Sequence, residues 1–219
     1  FITSYAAFNP GRNWEQIRTT IALNNVPVIV CGMHAGVSVG PDGATHQALE
    51  DLAMMRALPR FTIISACDSE EGRKATIAAA KLGSPVYMRW GREKSPIMTT
   101  VDTPFEIGKV NVMWSPEVKP REVAIFATGS LVYNALLAAR ELEKENISVV
   151  VANVHTIKPL DDEKIVSLAQ ECGAVVSVEE HQVHGGLGGA IAELLAREAP
   201  TPMEFVGMHD KFGQSGTAA

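Results

Sequence analysis

Short apolar runs rich in valine and isoleucine alternate with helical patterns along most of this chain, and this alternation limits its fold more than any other feature. In the second half, the strand-like runs cover residues 122–127, 148–153, 174–178 and 203–206, and the helical patterns cover 131–144, 161–172 and 187–197. Strands that alternate with helices of about 10 to 15 residues indicate βαβ units, in which successive strands lie parallel. The sequence therefore predicts an α/β protein built on parallel sheets.

The first half follows the same alternation less regularly. Its predicted strands are 26–31, 61–64 and 86–90, and its predicted helices are 48–57 and 68–82. Asp68 and Glu71 form a capping-box-like start to the second of these helices, and Gly83 is typical of a helix end. From about residue 95 to 120 there are four prolines and no sustained period, which indicates an interdomain connection carrying a short strand or two.

The composition is that of a soluble globular protein, with 46% hydrophobic and 20% charged residues. A net charge of −6 without a long basic run argues against a nucleic acid partner. Neither a signal peptide nor an apolar run of about 18 residues is recognisable, so we expect no membrane contact and a cytoplasmic protein. Cys31, Cys67 and Cys172 are isolated in the sequence, and we expect buried, reduced thiols rather than a metal site.

One glycine-rich stretch carries a concentration of reactive side chains. This stretch, residues 32–47, is named the histidine loop; it follows the strand-like run 26–31 and contains four glycines together with His34, Asp42 and His46. Glycine lets the backbone turn where a β-carbon would clash. Functional residues are often carried by loops at the carboxyl edge of a parallel sheet, so we expect a binding or catalytic site here.

The histidine loop and the helix after it closely resemble the transketolases, especially those split into two subunits, over the whole run from His34 to Arg56. Further runs with the family's pattern occur in the expected order at 8–18, 89–93, 127–129, 156–159, 179–188 and 212–216. The resemblance implies two three-layer α/β/α domains. Residues 1–99 would form a pyrimidine-binding domain of the thiamine-diphosphate-binding fold, with a parallel sheet, that lacks its N-terminal part. Residues 100–120 would connect it to a transketolase C-terminal domain, 121–219, with a mostly parallel sheet.

In this family, thiamine diphosphate assists the transfer of a two-carbon ketol unit between phosphosugars, a reaction of the pentose phosphate pathway. Magnesium and the cofactor's diphosphate are held by an N-terminal domain, and the glutamate that contacts the aminopyrimidine ring would lie upstream of Phe1. Because the chain begins at Phe1 rather than at a methionine, we expect that residues beyond its ends are missing, and the sequence leaves open whether the upstream residues are cleaved, disordered or separately encoded. The resemblance therefore implies a transferase that is incomplete on its own and needs an N-terminal transketolase subunit or domain. We expect a homodimer of this chain or a heterotetramer with that partner.

Four residues are expected to bind the phosphosugar, because they match family positions. His46 corresponds to the histidine that hydrogen-bonds the donor hydroxyls near the reacting carbon, and it is the predicted catalytic residue, since an imidazole can donate and accept near neutral pH. Asp42 corresponds to the aspartate that reads hydroxyl stereochemistry. His34 and Arg92 correspond to residues that grip the substrate phosphate, for which the guanidinium fork is suited. The structural alternatives are a helix-capping role for His46, an Asp–Gly turn at Asp42 and an ion pair between Arg92 and Glu93.

Two aromatic residues and one glycine-rich run complete the assignments. The resemblance places Tyr5 and Phe8 against the aminopyrimidine ring of thiamine diphosphate, which aromatic faces can hold by stacking; the alternative for both is an ordinary core position. In the second half, Gly185–Gly189 opens a helix and could hold an anion, but close packing of strand and helix is the preferred interpretation. His155 and His209 are expected to be structural or exposed, and no set of His, Cys or Asp residues has the spacing of a metal site.

Three other interpretations remain open on the sequence. A 1-deoxyxylulose-5-phosphate-synthase-like enzyme shares the Asp-Gly-x-Thr-His-Gln motif, although such relatives favour arginine where His34 stands. A 2-oxoacid dehydrogenase β subunit fits less well, because it lacks this histidine pattern. A non-catalytic assembly subunit is the alternative from a different functional class, since resemblance in fold alone does not establish activity.

Overall fold

In the computed structural model, residues 1–116 and 120–217 are described; residues 117–119 of the predicted connection and the last two residues, 218 and 219, lie outside the described part. The strands are β1 (Ile2–Tyr5), β2 (Ile29–Met33), β3 (Thr62–Ser65), β4 (Val86–Arg89), β5 (Asn111–Trp114), β6 (Val123–Ala127), β7 (Val149–Asn153), β8 (Thr156–Lys158), β9 (Val175–Gln182) and β10 (Met203–Met208). The helices are α1 (Trp14–Gln16), α2 (Asp51–Arg56), α3 (Ser69–Leu82), α4 (Leu131–Lys144), α5 (Asp162–Cys172) and α6 (Leu187–Glu198). Helix α1 continues into a π-helical segment, Ile17–Ala22, and the histidine loop contains 3₁₀-helical turns over Val37–Thr45.

Within the described residues, the strands form two five-stranded sheets. The first has the order β1-β2-β4-β3-β8 and is parallel except for β8. The second has the order β10-β9-β6-β7-β5 and is parallel except for β5. In both sheets the antiparallel strand lies at an edge. The predicted α/β architecture is thus confirmed, with one unforeseen antiparallel strand added to the first sheet.

Helices cover both faces of each sheet. Successive strand residues point to opposite sides of a sheet, so neighbouring residues of one strand pack against different helices. In β2, Ile29 and Cys31 pack in one buried cluster with residues of α3, whereas Val30 packs in another with residues of α2. In β6, Ile125 packs with α4, whereas Phe126 packs with α5 and α6. The cluster of Val30 also contains Phe126, so the helices between the two sheets share one core.

Strand β8 joins the two halves of the chain. Its segment, 156–159, carries the family pattern but has no local strand signal in the sequence. β8 follows β7 in the sequence but pairs antiparallel with β3 of the first sheet. Lys158 reinforces this junction, because its Nζ donates to the carbonyl oxygens of Arg56 and Leu58 at 2.9 and 2.6 Å. The predicted domain boundary at residue 121 stays a prediction, and residues beyond it contribute to the first sheet.

The helix ends follow the sequence signals at α3 but not at α2. Asp68 accepts a hydrogen bond from a first-turn backbone N–H at 2.8 Å, and Gly83 ends α3 with a φ of +72°. Helix α2 begins three residues later than predicted. The carbonyl groups of residues 48 and 49 accept hydrogen bonds from the backbone N–H groups of Gly36 and Gln182, so they do not start a helix. No helix in the described part of the chain is long and apolar enough to cross a bilayer.

Candidate functional site

The carboxyl ends of β1, β2 and β4 form one edge of the first sheet, because these strands are adjacent and parallel. Tyr5 ends β1, His34 directly follows β2, and Arg92 lies three residues beyond β4. The register pairs Tyr5 with Met33, the last residue of β2, so these two strands end at the same level. Residues far apart in sequence are therefore brought to the edge at which α/β proteins commonly bind ligands.

Tyr5, Phe8, His34 and His46 form an aromatic–histidine cluster at this edge. The ring centroids of Tyr5 and His34 lie 4.4 Å apart, and that of His46 lies 5.8 Å from Tyr5 and 5.3 Å from Phe8. All four residues are half-buried, and the histidines contact Tyr5 edge to face, a favourable geometry for aromatic rings. The structure thus brings the two predicted cofactor-binding residues together with two predicted substrate-binding residues.

The two histidines of the cluster differ in their hydrogen bonds. His46 Nδ1 lies 2.8 Å from Thr45 Oγ1, which leaves Nε2 as the nitrogen that can bind a ligand hydroxyl. His34 Nδ1 is buried and has no hydrogen-bond partner among the described residues. A buried polar atom without a partner is typical of a place where a ligand or solvent completes the hydrogen bonding.

Asp42 and Arg92 form a second group at this edge. Arg92 donates to the carbonyl oxygen of Val39, and its Nη1 lies 3.9 Å from Asp42 Oδ2. Its Nε lies 3.8 Å from Glu93 Oε1, so the alternative of an ion pair is present as well. Ion pairs of this length between side chains that are 34% and 36% exposed, as in Arg92 and Asp42, are weak. Guanidinium N–H groups therefore remain available to an anion such as phosphate.

Two residues that were not predicted as site residues, Glu180 and Gln47, form hydrogen bonds that fix the histidine loop. A carboxylate oxygen of Glu180, on β9, accepts a hydrogen bond from the backbone N–H of Ser38. Gln47 Nε2 donates to the carbonyl oxygens of Val37 at 3.0 Å and of Gln214 at 3.2 Å. The family pattern over 179–188 and 212–216 includes Glu180 and Gln214, but it does not indicate which groups these side chains contact.

A buried ion pair lies at the junction of the first sheet, α2 and β9. Arg89 Nε lies 2.8 Å from Asp51 Oδ2, Tyr87 Oη donates to the same oxygen at 2.7 Å, and Arg89 Nη2 donates to the Glu180 carbonyl at 2.8 Å. Burial alone would raise the pKa of Asp51, but the charge of Arg89 and these hydrogen bonds hold it below its usual value. Burial opposes the charge on Arg89 as well, but Asp51 raises the pKa of Arg89 above its usual value. Both groups are therefore charged at neutral pH.

The run Gly185–Gly189 serves the packing of β9 against α6, which confirms the preferred interpretation. A β-carbon on Gly186 would overlap with the Glu179 carboxylate. That carboxylate accepts hydrogen bonds from the backbone N–H groups of Leu187 at 2.7 Å and Gly188 at 2.8 Å. The start of α6 therefore already holds an anionic group that belongs to the chain itself.

The remaining histidines and cysteines that the sequence suggested have no ring contact with the aromatic–histidine cluster among the described residues. His155 is fully buried, with Nδ1 2.9 Å from Thr156 Oγ1, and His209 is exposed, as expected. All three cysteines are buried. Over residues 1–116 and 120–217, no group of three or more His, Cys, Asp and Glu side chains is placed to hold a metal ion.

Comparison with known proteins gives matches along nearly the whole chain. The family model of the transketolase pyrimidine binding domain matches residues 1–97, and that of the transketolase C-terminal domain matches residues 114–219. A protein of Methanocaldococcus jannaschii named as a transketolase C-terminal section is 37% identical over 100% of this chain and 68% of its own length. The 6-deoxy-6-sulfo-D-fructose transketolase subunit SqwH of Clostridium sp. is 36% identical over 99% of this chain and 66% of its own length.

Solved structures agree with these matches. A structure described as a split gene transketolase, inactive beta4 tetramer, is 40% identical and superposes with a TM-score of 0.86 over 94% of this chain and 65% of that one. The transketolase of Campylobacter jejuni, 21% identical with a TM-score of 0.73, shares the fold. The chain spans about two thirds of the length of the split relatives that it matches. Since both domain models match and a 37% identical relative is covered over most of its length, the chain belongs to the transketolase family.

Proposed function

We propose that this chain takes part in the thiamine-diphosphate-dependent transfer of a two-carbon ketol unit between phosphosugars, as the C-terminal subunit or fragment of a transketolase. The observation that carries the proposal is the grouping of His34, Asp42, His46 and Arg92 at one edge of the first sheet. Membership of the family supports the reaction class. Relatives named as transketolase subunits for 6-deoxy-6-sulfo-D-fructose and apulose-4-phosphate extend the sugars to be tested beyond common pentose and hexose phosphates.

In this proposal, the chain's own residues bind and orient the sugar. His46 binds the donor hydroxyls next to the reacting carbon through Nε2, because Thr45 occupies its Nδ1. Asp42 accepts a hydrogen bond from one sugar hydroxyl, and the wrong epimer would leave this carboxylate unpaired. Arg92 and His34 bind the remote phosphate, and the energy of that contact holds the sugar in a reactive orientation.

The aromatic–histidine cluster fits the aminopyrimidine end of thiamine diphosphate. Tyr5 and Phe8 are half-buried aromatic residues whose ring centroids lie 6.0 Å apart, and their faces suit a flat heteroaromatic ring. When bound, thiamine diphosphate supplies the electron sink that cleavage of a carbon–carbon bond next to a carbonyl requires. Its diphosphate and magnesium are assigned, by family resemblance, to an N-terminal subunit or domain.

We infer that an N-terminal transketolase subunit or domain covers this edge of the sheet. The partial exposure of the cluster and of Arg92 supports this inference, because a closed site would exclude a second chain. The similar split transketolase supports it too, since its beta4 tetramer is described as inactive. The proposed assembly is a homodimer of this chain, extended by two partner subunits to a heterotetramer.

Reconstitution tests this function. The chain is mixed with the N-terminal subunit, magnesium, thiamine diphosphate, a ketose phosphate or sulfosugar donor and an aldose phosphate, and light scattering verifies assembly. We expect ketol transfer from the mixture and none from either subunit alone. No transfer from any of these donors, despite verified assembly, would contradict the proposal. In a parallel mixture with pyruvate as the donor, consumption of pyruvate would favour the alternative enzyme, since a 34% identical relative in Trichormus variabilis is named 1-deoxy-D-xylulose-5-phosphate synthase.

A further inference from the structure

We propose that Glu180 is a positioning residue that holds the histidine loop in the conformation presenting Asp42 and His46 to the substrate. Glu180 lies on β9, in the second half of the chain, whereas the histidine loop follows β2 in the first half. The consequence for catalysis rests on the proposed function, but the structural role of Glu180 does not. In this proposal, the second half of the chain fixes the geometry of a site that is built on the first sheet.

The Glu180 carboxylate contacts the first part of the histidine loop directly. One of its oxygens accepts a hydrogen bond from the backbone N–H of Ser38. Gly36 makes room for this contact, because a β-carbon at that position would overlap with the Glu180 side chain. Gly36 also has a φ of +91°, a conformation that other residues rarely adopt. A hydrogen bond to a carboxylate is stronger than one between neutral groups, so this contact is suited to fixing a loop.

Glu180 also has contacts outside the histidine loop, through both its backbone and its side chain. Strand β9 pairs with β6 and β10 as far as Val178, and its pairing with β10 resumes at Gln182 after a register shift, so Glu180 lies in the irregular part of the strand. The backbone carbonyl of Glu180 accepts a hydrogen bond from Arg89 at 2.8 Å, and Ser130 Oγ lies 3.5 Å from its second carboxylate oxygen. Because both the backbone and the side chain are anchored, Glu180 does not move freely with the loop.

The histidine loop needs external support because it is not a regular helix. Its helical turns over Val37–Thr45 are interrupted at Gly40 and Gly43, where φ is +72° and +70°. Asp42 lies between these two glycines, and His46 directly follows the segment. The placement of both sugar-binding side chains therefore depends on how the segment is fixed to the rest of the molecule.

Water can reach this contact if the carboxylate is removed. A cavity of about 750 Å³ opens between the histidine loop and the second half of the chain, and Ser38 and Glu180 are among its lining residues. Without its acceptor, the Ser38 N–H would face this cavity. The rate at which that amide hydrogen exchanges with solvent is therefore a direct measure of the contact.

Hydrogen–deuterium exchange on the full chain, without partner or cofactor, tests the structural role. We expect Glu180→Ala to speed exchange at Ser38 by about tenfold or more, while amides of β6 and β9 keep the parent rates. Glu180→Asp should act in the same direction, because its carboxylate is withdrawn by one methylene. Glu180→Gln should retain most of the protection, because it keeps an acceptor oxygen at the same reach. The matched control is Glu193→Ala, which removes a different carboxylate that bridges the two halves, 2.8 Å from Arg56.

Unchanged exchange at Ser38 in the Glu180→Asp variant, or equal acceleration in Glu193→Ala, would overturn the proposal. Should Glu180→Ala fail to fold, the aspartate and glutamine variants decide the question by the same measurement. In the reconstituted enzyme we expect Glu180→Asp to lower kcat by about tenfold or more, since a misplacement of about 1 Å reduces rates strongly, and Glu180→Gln to restore most of it. If the parent enzyme shows no ketol transfer, the proposed function fails, while the exchange result still decides the role of Glu180.

Discussion

Arg89 and Asp51 form an ion pair, 2.8 Å between Nε and Oδ2, in which the two side chains are only 6% and 1% exposed. A second guanidinium nitrogen of Arg89 donates to the carbonyl oxygens of Glu180, at 2.8 Å, and of Ala48, at 3.4 Å. One side chain therefore connects β4, the segment after the histidine loop, and β9. The pair fixes the two sheets relative to each other at the place where the candidate site is built.

We expect Arg89→Met to lower the free energy of unfolding by about 3–5 kcal/mol, because it leaves the buried carboxylate of Asp51 without a counter-charge. Urea denaturation followed by circular dichroism measures this loss. The control is Arg73→Met, which breaks an exposed pair with Glu70 and should not shift the midpoint measurably. Equal midpoints for the two variants would show that the buried pair does not stabilise the fold.

The start of α6 provides a steric prediction. Gly186→Ala would push a methyl group into the Glu179 carboxylate, which accepts the hydrogen bonds of the first helical amides. We expect a loss of about 1–3 kcal/mol in unfolding free energy, since overpacking and a lost cap act together. Gly91→Ala is the matched control, because nothing lies within 4 Å of a β-carbon at that position. Because Gly→Ala also lowers the entropy of the unfolded chain, Gly91→Ala should not lose stability, and an equal loss in both variants would show that the overlap with Glu179 is not the cause.

The lowered pKa of the buried His155 leads to a prediction of how the stability of the fold depends on pH. Burial lowers the pKa of His155 from 6.5 to about 4. Between these two pH values the imidazole is protonated in the unfolded chain but neutral in the folded chain. The contribution of His155 to the free energy of unfolding is fully present above pH 6.5. As the pH falls towards 4, up to about 3 kcal/mol of this contribution is lost. We expect both His155→Phe and His155→Gln to flatten this slope in urea titrations between pH 6.5 and 4.5. An unchanged slope in both variants would assign it to other groups.

Elements with a strong local signal could be predicted from the sequence, and elements formed by pairing alone could not. Helix α4 has the predicted limits, Leu131–Lys144, because its apolar residues recur at helical spacing. Strands β1 and β8 have only four and three residues and no clear alternation, so their conformation comes from pairing with β2 and β3. A tertiary contact of this kind leaves no period in the sequence.

The same distinction holds for the candidate site. The family pattern gave His34, Asp42, His46 and Arg92 as candidates, and the parallel order of β1, β2 and β4 explains why the segments that carry His34 and Arg92 begin at one edge of the sheet. The contact between Ser38 and Glu180 joins residues 142 positions apart, and neither residue has a local signal for it. Such support could not be predicted, because it depends on how β9 is set against the first sheet.

Arg92 is expected to affect substrate binding more than the chemical step. In the reconstituted enzyme, Arg92→Lys should raise KM for a phosphorylated donor by about tenfold and leave kcat within about threefold, because a single ammonium replaces the forked donors. An unphosphorylated ketose is the control substrate, and its kcat/KM should not change. An equal loss for both substrates would argue against a phosphate contact and for a structural role, through the bond to Val39.

The effect of replacing His46 distinguishes a catalytic subunit from a non-catalytic assembly subunit. His46→Ala removes a ring that contacts Tyr5 and Phe8 and the nitrogen proposed to bind donor hydroxyls, so we expect kcat/KM to fall by about 100-fold or more. Light scattering should show that the variant still folds and assembles with its partner, because His46 is half-buried and is one residue of a larger proposed contact surface. His209→Ala, a change at an exposed histidine, is the control and should keep full activity. Full activity of the His46→Ala enzyme would favour the non-catalytic interpretation, since no other histidine joins His34 in the aromatic–histidine cluster of the described residues.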